Sequence, residues 1–413
     1  MGKIFILYGV VFPYILFLNI LSFGSNSLGI GTVLFVGCML PLLFSTILFV
    51  DQIKVKAFVF FGLSSFLIIN IFKLFAHNSG PLDFSFLVGY MGNWIFFILN
   101  FLFSALYLKK SKRKMDFLKM SAYGFMVSSI IGILHYYFFF SIPFMDPSYG
   151  TDDLGTIFNV ADYDLMRFRE SSIFFGPNVN AYMTVVGYLF LVFSVIQKGI
   201  VDMFRSPIYW LGLILHSWNI IISDSRSGIL LITIITIIIL YDKRLGVDFK
   251  ISSWIKILIL SALILGLMVY VKNQPRLSPE ALLQDERMIK IAVGITILLS
   301  NSMNLLVGAP INDKWTIGDV SVSDNMYVAL LLYVGVVGMA ILVYTTIRIF
   351  RMLNRSLSLG QDYHYNLLAK YFIILFLLIG CFSIPIAMMP FMIYFGIILG
   401  GVRFENVLAK KLV

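Results

Sequence analysis

Long apolar runs separated by short polar or basic stretches set the architecture of this chain. A helix needs about 20 apolar residues to cross roughly 30 Å of hydrocarbon. Twelve runs meet or approach that length: 4–23, 28–50, 57–75, 84–107, 118–142, 180–196, 207–223, 228–241, 256–272, 325–347, 367–383 and 385–401. The run 228–241 falls short of a full crossing, and the last two are divided only by Ser383 to Pro385. No internal repeat or low-complexity tract interrupts the pattern, so residues 1–413 read as a single all-α transmembrane domain of about 12 helices. The run 4–23 lacks a small-residue cleavage site and reads as the first span, not a leader.

Composition points the same way. With 60% hydrophobic and 13% charged residues, the chain cannot close a water-soluble globule without exposing apolar surface. Its charge then fixes an orientation. The basic run Lys109-Lys110-Ser111-Lys112-Arg113-Lys114 belongs in the cytoplasm under the positive-inside rule, which places both termini there too. In that arrangement the inner side carries most of the 31 Lys and Arg but only a third of the 21 Asp and Glu. The net charge of +10 therefore reports membrane topology and calls for no nucleic-acid partner. Cys38 and Cys381 both fall in apolar segments, where a disulfide is not expected.

Residues 289–307 are apolar enough to suggest a further span. If they crossed, Arg348, Arg351 and Arg355 would face outward, and Asn301, Ser302 and Asn304 would interrupt the hydrocarbon. The segment 273–324 is instead read as a large external loop carrying an amphipathic surface helix over 283–300. A second external loop, 143–179, is acidic and holds Pro143, Pro147 and Gly150 near its start.

Against this charge pattern, Arg169, Arg226 and Arg287 stand on the outer side. Arg169 precedes Phe175-Gly176-Pro177-Asn178, which breaks the chain just before a span. An arginine and Asn178 beside a helix N-terminus suit a phosphate, although Glu170 or Asp164 could also pair with Arg169. Arg226 lies in the short turn Ser223-Asp224-Ser225-Arg226-Ser227-Gly228 and must find partners at the membrane surface, with Asp224 as the local candidate. Arg287 and Lys290, three residues apart, share a helix face and could offer positive charge to an anionic headgroup or remain a solvated face. Asp324, in Ser323-Asp324-Asn325-Met326-Tyr327, sits at the outer mouth of a span. It could act as a general base or cap the helix that follows.

These motifs, in this order, resemble the O-antigen polymerase family within the O-antigen polymerase and ligase superfamily. They are the arginine before Phe-Gly-Pro-Asn-x-x-Ala, then Ser-x-Ser-Arg-Ser-Gly, then Arg287 ahead of Leu305-Leu306-Val307-Gly308-Ala309-Pro310, then Asp324-Asn325-x-Tyr327 with Gly335-x-x-Gly338. The resemblance covers about 160–340. It implies a C-type glycosyltransferase-like fold in the bacterial inner membrane, with its active site on the periplasmic side. The expected substrates are oligosaccharides on undecaprenyl diphosphate, and membrane lipid, a chain-length regulator and a flippase are expected partners. Arg169, Arg226 and Arg287 would bind the diphosphate together with Lys290 and Asn178. Arg169 and Arg226 would also stabilise the leaving group, while Asp324 is the candidate catalytic base on its position alone.

No cofactor is implied. Asp162-Tyr163-Asp164 is similar to the metal-binding Asp-x-Asp of other glycosyltransferases, but this family is regarded as metal-independent, and no metal ligand is assigned. The ligase branch would show His-Asn where this chain has Asp324-Asn325, which favours polymerase. A lipid-linked oligosaccharide flippase is the alternative outside the enzymes. Ion-coupled transporters place carboxylates in mid-span, whereas here they lie in loops or at span ends. His135 and His216, near span interiors, are expected to be hydrogen-bonded helix contacts.

Overall fold

The computed structural model describes residues 19–23, 26–29, 84–108, 110–138, 177–196, 200–223, 225–242, 286–309, 316–317, 320–321, 325–358, 362–383 and 388–402. These are helical except for two short antiparallel ladders. β1 (Asn19–Phe23) pairs with β2 (Asn26–Gly29), and β3 (Thr316–Ile317) pairs with β4 (Val320–Ser321). The first ladder takes the end of the expected span 4–23 and the start of the expected span 28–50. The remainder of those two spans, and the expected spans 57–75 and 256–272, lie outside the described residues.

The helices are α1 (Phe84–Tyr107), α2 (Ser111–Phe138), α3 (Pro177–Val195), α4 (Ile200–Arg205), α5 (Pro207–Ile222), α6 (Arg226–Tyr241), α7 (Glu286–Leu299), α8 (Ser302–Val307), α9 (Met326–Ser358), α10 (Tyr363–Gly380) and α11 (Met389–Gly401). Four of them, α2, α3, α9 and α10, are long and apolar enough to cross a membrane, and α5, α6 and α11 are shorter apolar helices.

The two faces of α2 show what solvent surrounds the bundle. Phe117, Leu118, Ala122 and Phe125 are buried against the other helices, while Met120, Tyr123, Val127, Ile130, Leu134 and Tyr137 lie exposed on the opposite side. The exposed set recurs at intervals of three and four and forms one apolar stripe from Met120 to Tyr137, about 26 Å of helix. On α5 the stripe is Ile208, Leu211, Ile214, Trp218 and Ile221. Such stripes are stable in hydrocarbon and costly in water.

At the centre stands α3, enclosed by α2, α5, α6 and α10. Its residues from Asn180 to Phe193 are all buried, with Phe190 stacking on Phe125 and lying near Phe372 and Tyr394. On the far side α11 lies against α1 so closely that a Cβ on Gly396 or Gly400 would fall 2.4 or 2.1 Å from the carbonyl oxygens of Phe97 and Phe101. This four-residue spacing of glycines lets two backbones touch.

The bundle has two chemically distinct ends. At one end Lys114 Nζ lies 2.5 Å from Asp362 Oδ2 and 5.1 Å from the centre of the Tyr365 ring, with Ser111 Oγ also donating to Asp362. Nearby Tyr371 donates to Asp242 at 2.9 Å, and Lys370 lies 3.8 Å from the same carboxylate. The sequence assigns all these residues to one side, and the fold gathers them at one end. The ion pair also explains why α2 begins seven residues before the expected 118: Lys114 is inside the helix and neutralised there.

At the opposite end α9 departs from expectation. It runs 33 residues, longer than the expected 325–347, and breaks at Gly335, where φ is 63° and ψ is −172°. The break opens the Leu332 carbonyl, which accepts a hydrogen bond from Ala309 N at 2.8 Å. Within the range 283–300, where a helix is expected, the structure has α7. It continues through α8 onto this break and forms a small core of Leu298, Ala309 and Leu332. Its residues Ile289, Ile295 and Leu299 are exposed and apolar.

Candidate functional site

Two of the sequence motifs meet at the N-termini of α3 and α6. Pro177 opens α3, where its fixed φ and missing N–H are no loss. Ser225 caps α6, its Oγ accepting from Gly228 N at 3.3 Å. The same hydroxyl donates to Asn178 Oδ1 at 3.2 Å, which ties the two helix starts together. Ser227 Oγ lies 3.3 Å from Ser225 Oγ and 2.8 Å from the Tyr182 hydroxyl. Ala181 and Gly228 are the small residues at the crossing of α3 and α6, which accounts for their places in the two motifs.

Below this junction Asn180 and Asn219 hydrogen-bond each other through both amides, at 3.3 and 3.1 Å. Asn219 Nδ2 also reaches Thr184 Oγ1 at 2.9 Å. One turn back on α5, the fully buried His216 meets Ser129 Oγ through Nδ1 at 2.9 Å, the helix contact expected of it. These buried amides and hydroxyls fix α2, α3 and α5 beneath the helix ends.

Arg226 is the first residue of α6 and is half-buried. Among the described residues no side chain pairs with its guanidinium, while Ser225, Ser227 and Asn178 are engaged around it. An arginine at the first turn of one helix, with a second helix N-terminus bound to the same cap, makes a concentrated positive field. It favours a multiply charged anion.

The other candidates lie apart from this junction or outside the described residues. Arg169, Asp324, Asp224 and the Asp162–Asp164 pair are among the latter. Arg287 and Lys290 both stand on α7, which packs against α8 and α9, whereas α6 packs on α3, α5 and α10. Asn325 accepts from Tyr327 N at 3.0 Å and from Val328 N at 3.2 Å, so the capping role weighed for Asp324 belongs to its neighbour.

The sequence also placed Leu305–Pro310 and Gly335–Gly338 separately. They are one contact: a Cβ on Gly335 would fall 2.3 Å from the Leu306 carbonyl oxygen and 2.5 Å from Gly308 N. Sequence reasoning missed Tyr182, Asn180 and Asn219. Asn180 is an unspecified position of the first motif and Tyr182 follows its last residue, while Asn219 lies inside an apolar span with no motif to flag it.

Comparison with protein-family models and with curated protein sequences finds no match.

Proposed function

We propose that this protein is a glycosyltransferase of the bacterial inner membrane that polymerises O-antigen or a related surface polysaccharide. The observation that carries the reading is the junction of α3 and α6, where two motifs of the resemblance share a hydrogen bond between Asn178 and Ser225 beside Arg226. In this reading a growing glycan leaves undecaprenyl diphosphate for a sugar hydroxyl of a lipid-linked repeat unit on the periplasmic side. The bond from the anomeric carbon to the diphosphate oxygen breaks, and a bond from that carbon to the acceptor oxygen forms with inversion. The acceptor proton passes to Asp324.

Arg226 and Arg169 stabilise the charge gathering on the departing diphosphate, a role for which arginine's bidentate geometry and permanent charge suit it. Asn178 binds the diphosphate beside them, and Arg287 and Lys290, on α7 and apart from the junction, meet the lipid-linked substrate at a separate point. The carboxylates with described side chains, Asp116, Asp242 and Asp362, all lie toward the basic end of the bundle, which favours an enzyme over an ion-coupled carrier.

The test is a gel of surface lipopolysaccharide from a deletion strain of the native host, its parent and a complemented strain. Core bearing a single repeat unit, with the ladder restored by complementation, supports polymerase. Loss of every repeat unit points to ligase or flippase, and an unchanged ladder rejects a role in this polysaccharide.

A further inference from the structure

Between α1, α9, α10 and α11 lies a cavity of about 290 Å³, near the lower end of the ~300–1,000 Å³ typical of small-molecule sites. Its walls include Trp94, Met339, Leu342, Phe376, Phe395 and Leu399. The two hydroxyls that line it are already committed to backbone carbonyls, Tyr327 to Leu377 O at 2.7 Å and Thr346 to Leu342 O at 2.8 Å. The space therefore suits hydrocarbon and not a sugar or a phosphate. Along α9 its rim is Val343 and Ile347, both about half exposed and continuous with the outer apolar surface at Ile341 and Tyr344. A cavity that opens from the middle of two membrane-length helices is open to lipid chains.

The same helix supplies charge at one end of the cavity. Arg348, Arg351 and Arg355 are exposed at intervals of three and four, so they form one stripe beside the rim. The Arg348 guanidinium lies 5.9 Å from the centre of the Tyr344 ring, which directs it along the helix surface. From Arg351 to Met339 is twelve residues, about 18 Å of helix. One leaflet of hydrocarbon is about 15 Å, half of the usual thickness. A chain whose headgroup rests at the arginines therefore ends within the cavity.

We propose that this cavity is a binding site for one acyl chain of an anionic phospholipid, with the phosphate held by Arg348, Arg351 and Arg355. The site is independent of the transferase reading and lies on α9, away from the junction of α3 and α6. Its occupant fills a space that would otherwise be a void in the helix packing and sets the spacing of α9 from α10 and α1.

The test uses the full-length protein purified from membranes, exchanged into detergent and titrated with phosphatidylglycerol or phosphatidylcholine under native mass spectrometry. The wild type binds one phosphatidylglycerol in preference to phosphatidylcholine. Leu342→Phe and Thr346→Phe each fill the cavity and abolish that preferred site in protein that remains monodisperse. Arg348→Gln with Arg351→Gln weakens phosphatidylglycerol about thirtyfold, the loss expected of two arginines near an anionic surface, and leaves phosphatidylcholine unchanged. Wild-type binding in both filled variants, or equal binding of the two lipids by the wild type, overturns the proposal.

Discussion

Ala181 and Gly228 are the contact on which α3 and α6 cross: a Cβ added to Gly228 would lie 2.7 Å from the Ala181 Cβ, closer than carbon atoms approach. Neither partner is the end of a flexible side chain, so the crossing can relieve the overlap only by parting the helices. Parting them would pull Ser225 from Asn178.

Gly228→Ala is therefore expected to cost about 1–3 kcal/mol, as overpacking does, and to lower the thermal midpoint measured in detergent. Adding Ala181→Gly returns most of the loss. A single Gly228→Ala variant as stable as the parent would show that the two helices do not depend on this contact.

Tyr182 and Ser227 test the junction through a hydrogen bond instead of a volume. Replacing the tyrosine with phenylalanine and the serine with alanine, singly and together, should give a coupling of about 0.6–2 kcal/mol in a double-mutant cycle on thermal stability. Strictly additive effects would mean that the 2.8 Å contact contributes nothing.

Arg226→Ala is expected to abolish polymer while the protein stays in the membrane at its usual abundance, read by lipopolysaccharide gel and immunoblot. Arg226→Lys restores little, because an ammonium engages phosphate as a point charge. A full ladder from the alanine variant removes Arg226 from the reaction.

Lys114 and Asp362 form an ion pair whose side chains are 1% and 2% exposed. Breaking it from one side strands a buried charge, so Lys114→Met or Asp362→Asn should each cost about 3–5 kcal/mol. The double variant Lys114→Met with Asp362→Leu should be more stable than either single change. Unfolding in detergent checks the order, and a double variant worse than both would refute it.

Gly335→Ala introduces a side chain at positive φ and against the Leu306 carbonyl. It is expected to release α8 from α9. A cysteine pair at Ala309 and Leu332, whose backbones share a hydrogen bond, reports this by oxidative cross-linking. The pair should close with glycine at 335 and fail with alanine, and equal cross-linking in both would refute the lock.

Hydropathy was sufficient for most of the described helices because each had an apolar stretch of its own. The expected 84–107 coincides with α1, 207–223 lies within a residue of α5, and 228–241 within two of α6. Where the sequence misled, charge and backbone were responsible. Lys114 looked like a loop residue until Asp362 neutralised it, and the bend at Gly335 is invisible in a run that stays apolar on both sides. At the candidate site, Arg226 and Asn178 stood out as polar residues beside apolar spans, and the fold joins their motifs. Tyr182 and Asn219 did not stand out, because a polar group facing another helix leaves the average hydropathy of its span unchanged.

The enclosure of α3 has a consequence for how this chain assembles. Asn180 and Thr184 gain the amide of Asn219 only once α5 is made, and Phe190 and Phe193 meet their rings on α10 only after about 180 further residues have been synthesised. When it first emerges, α3 has α2 beside it, but its contacts with α5, α6 and α10 are still to come. Insertion and folding are thus separate events for this helix, and the second waits for the chain's final third.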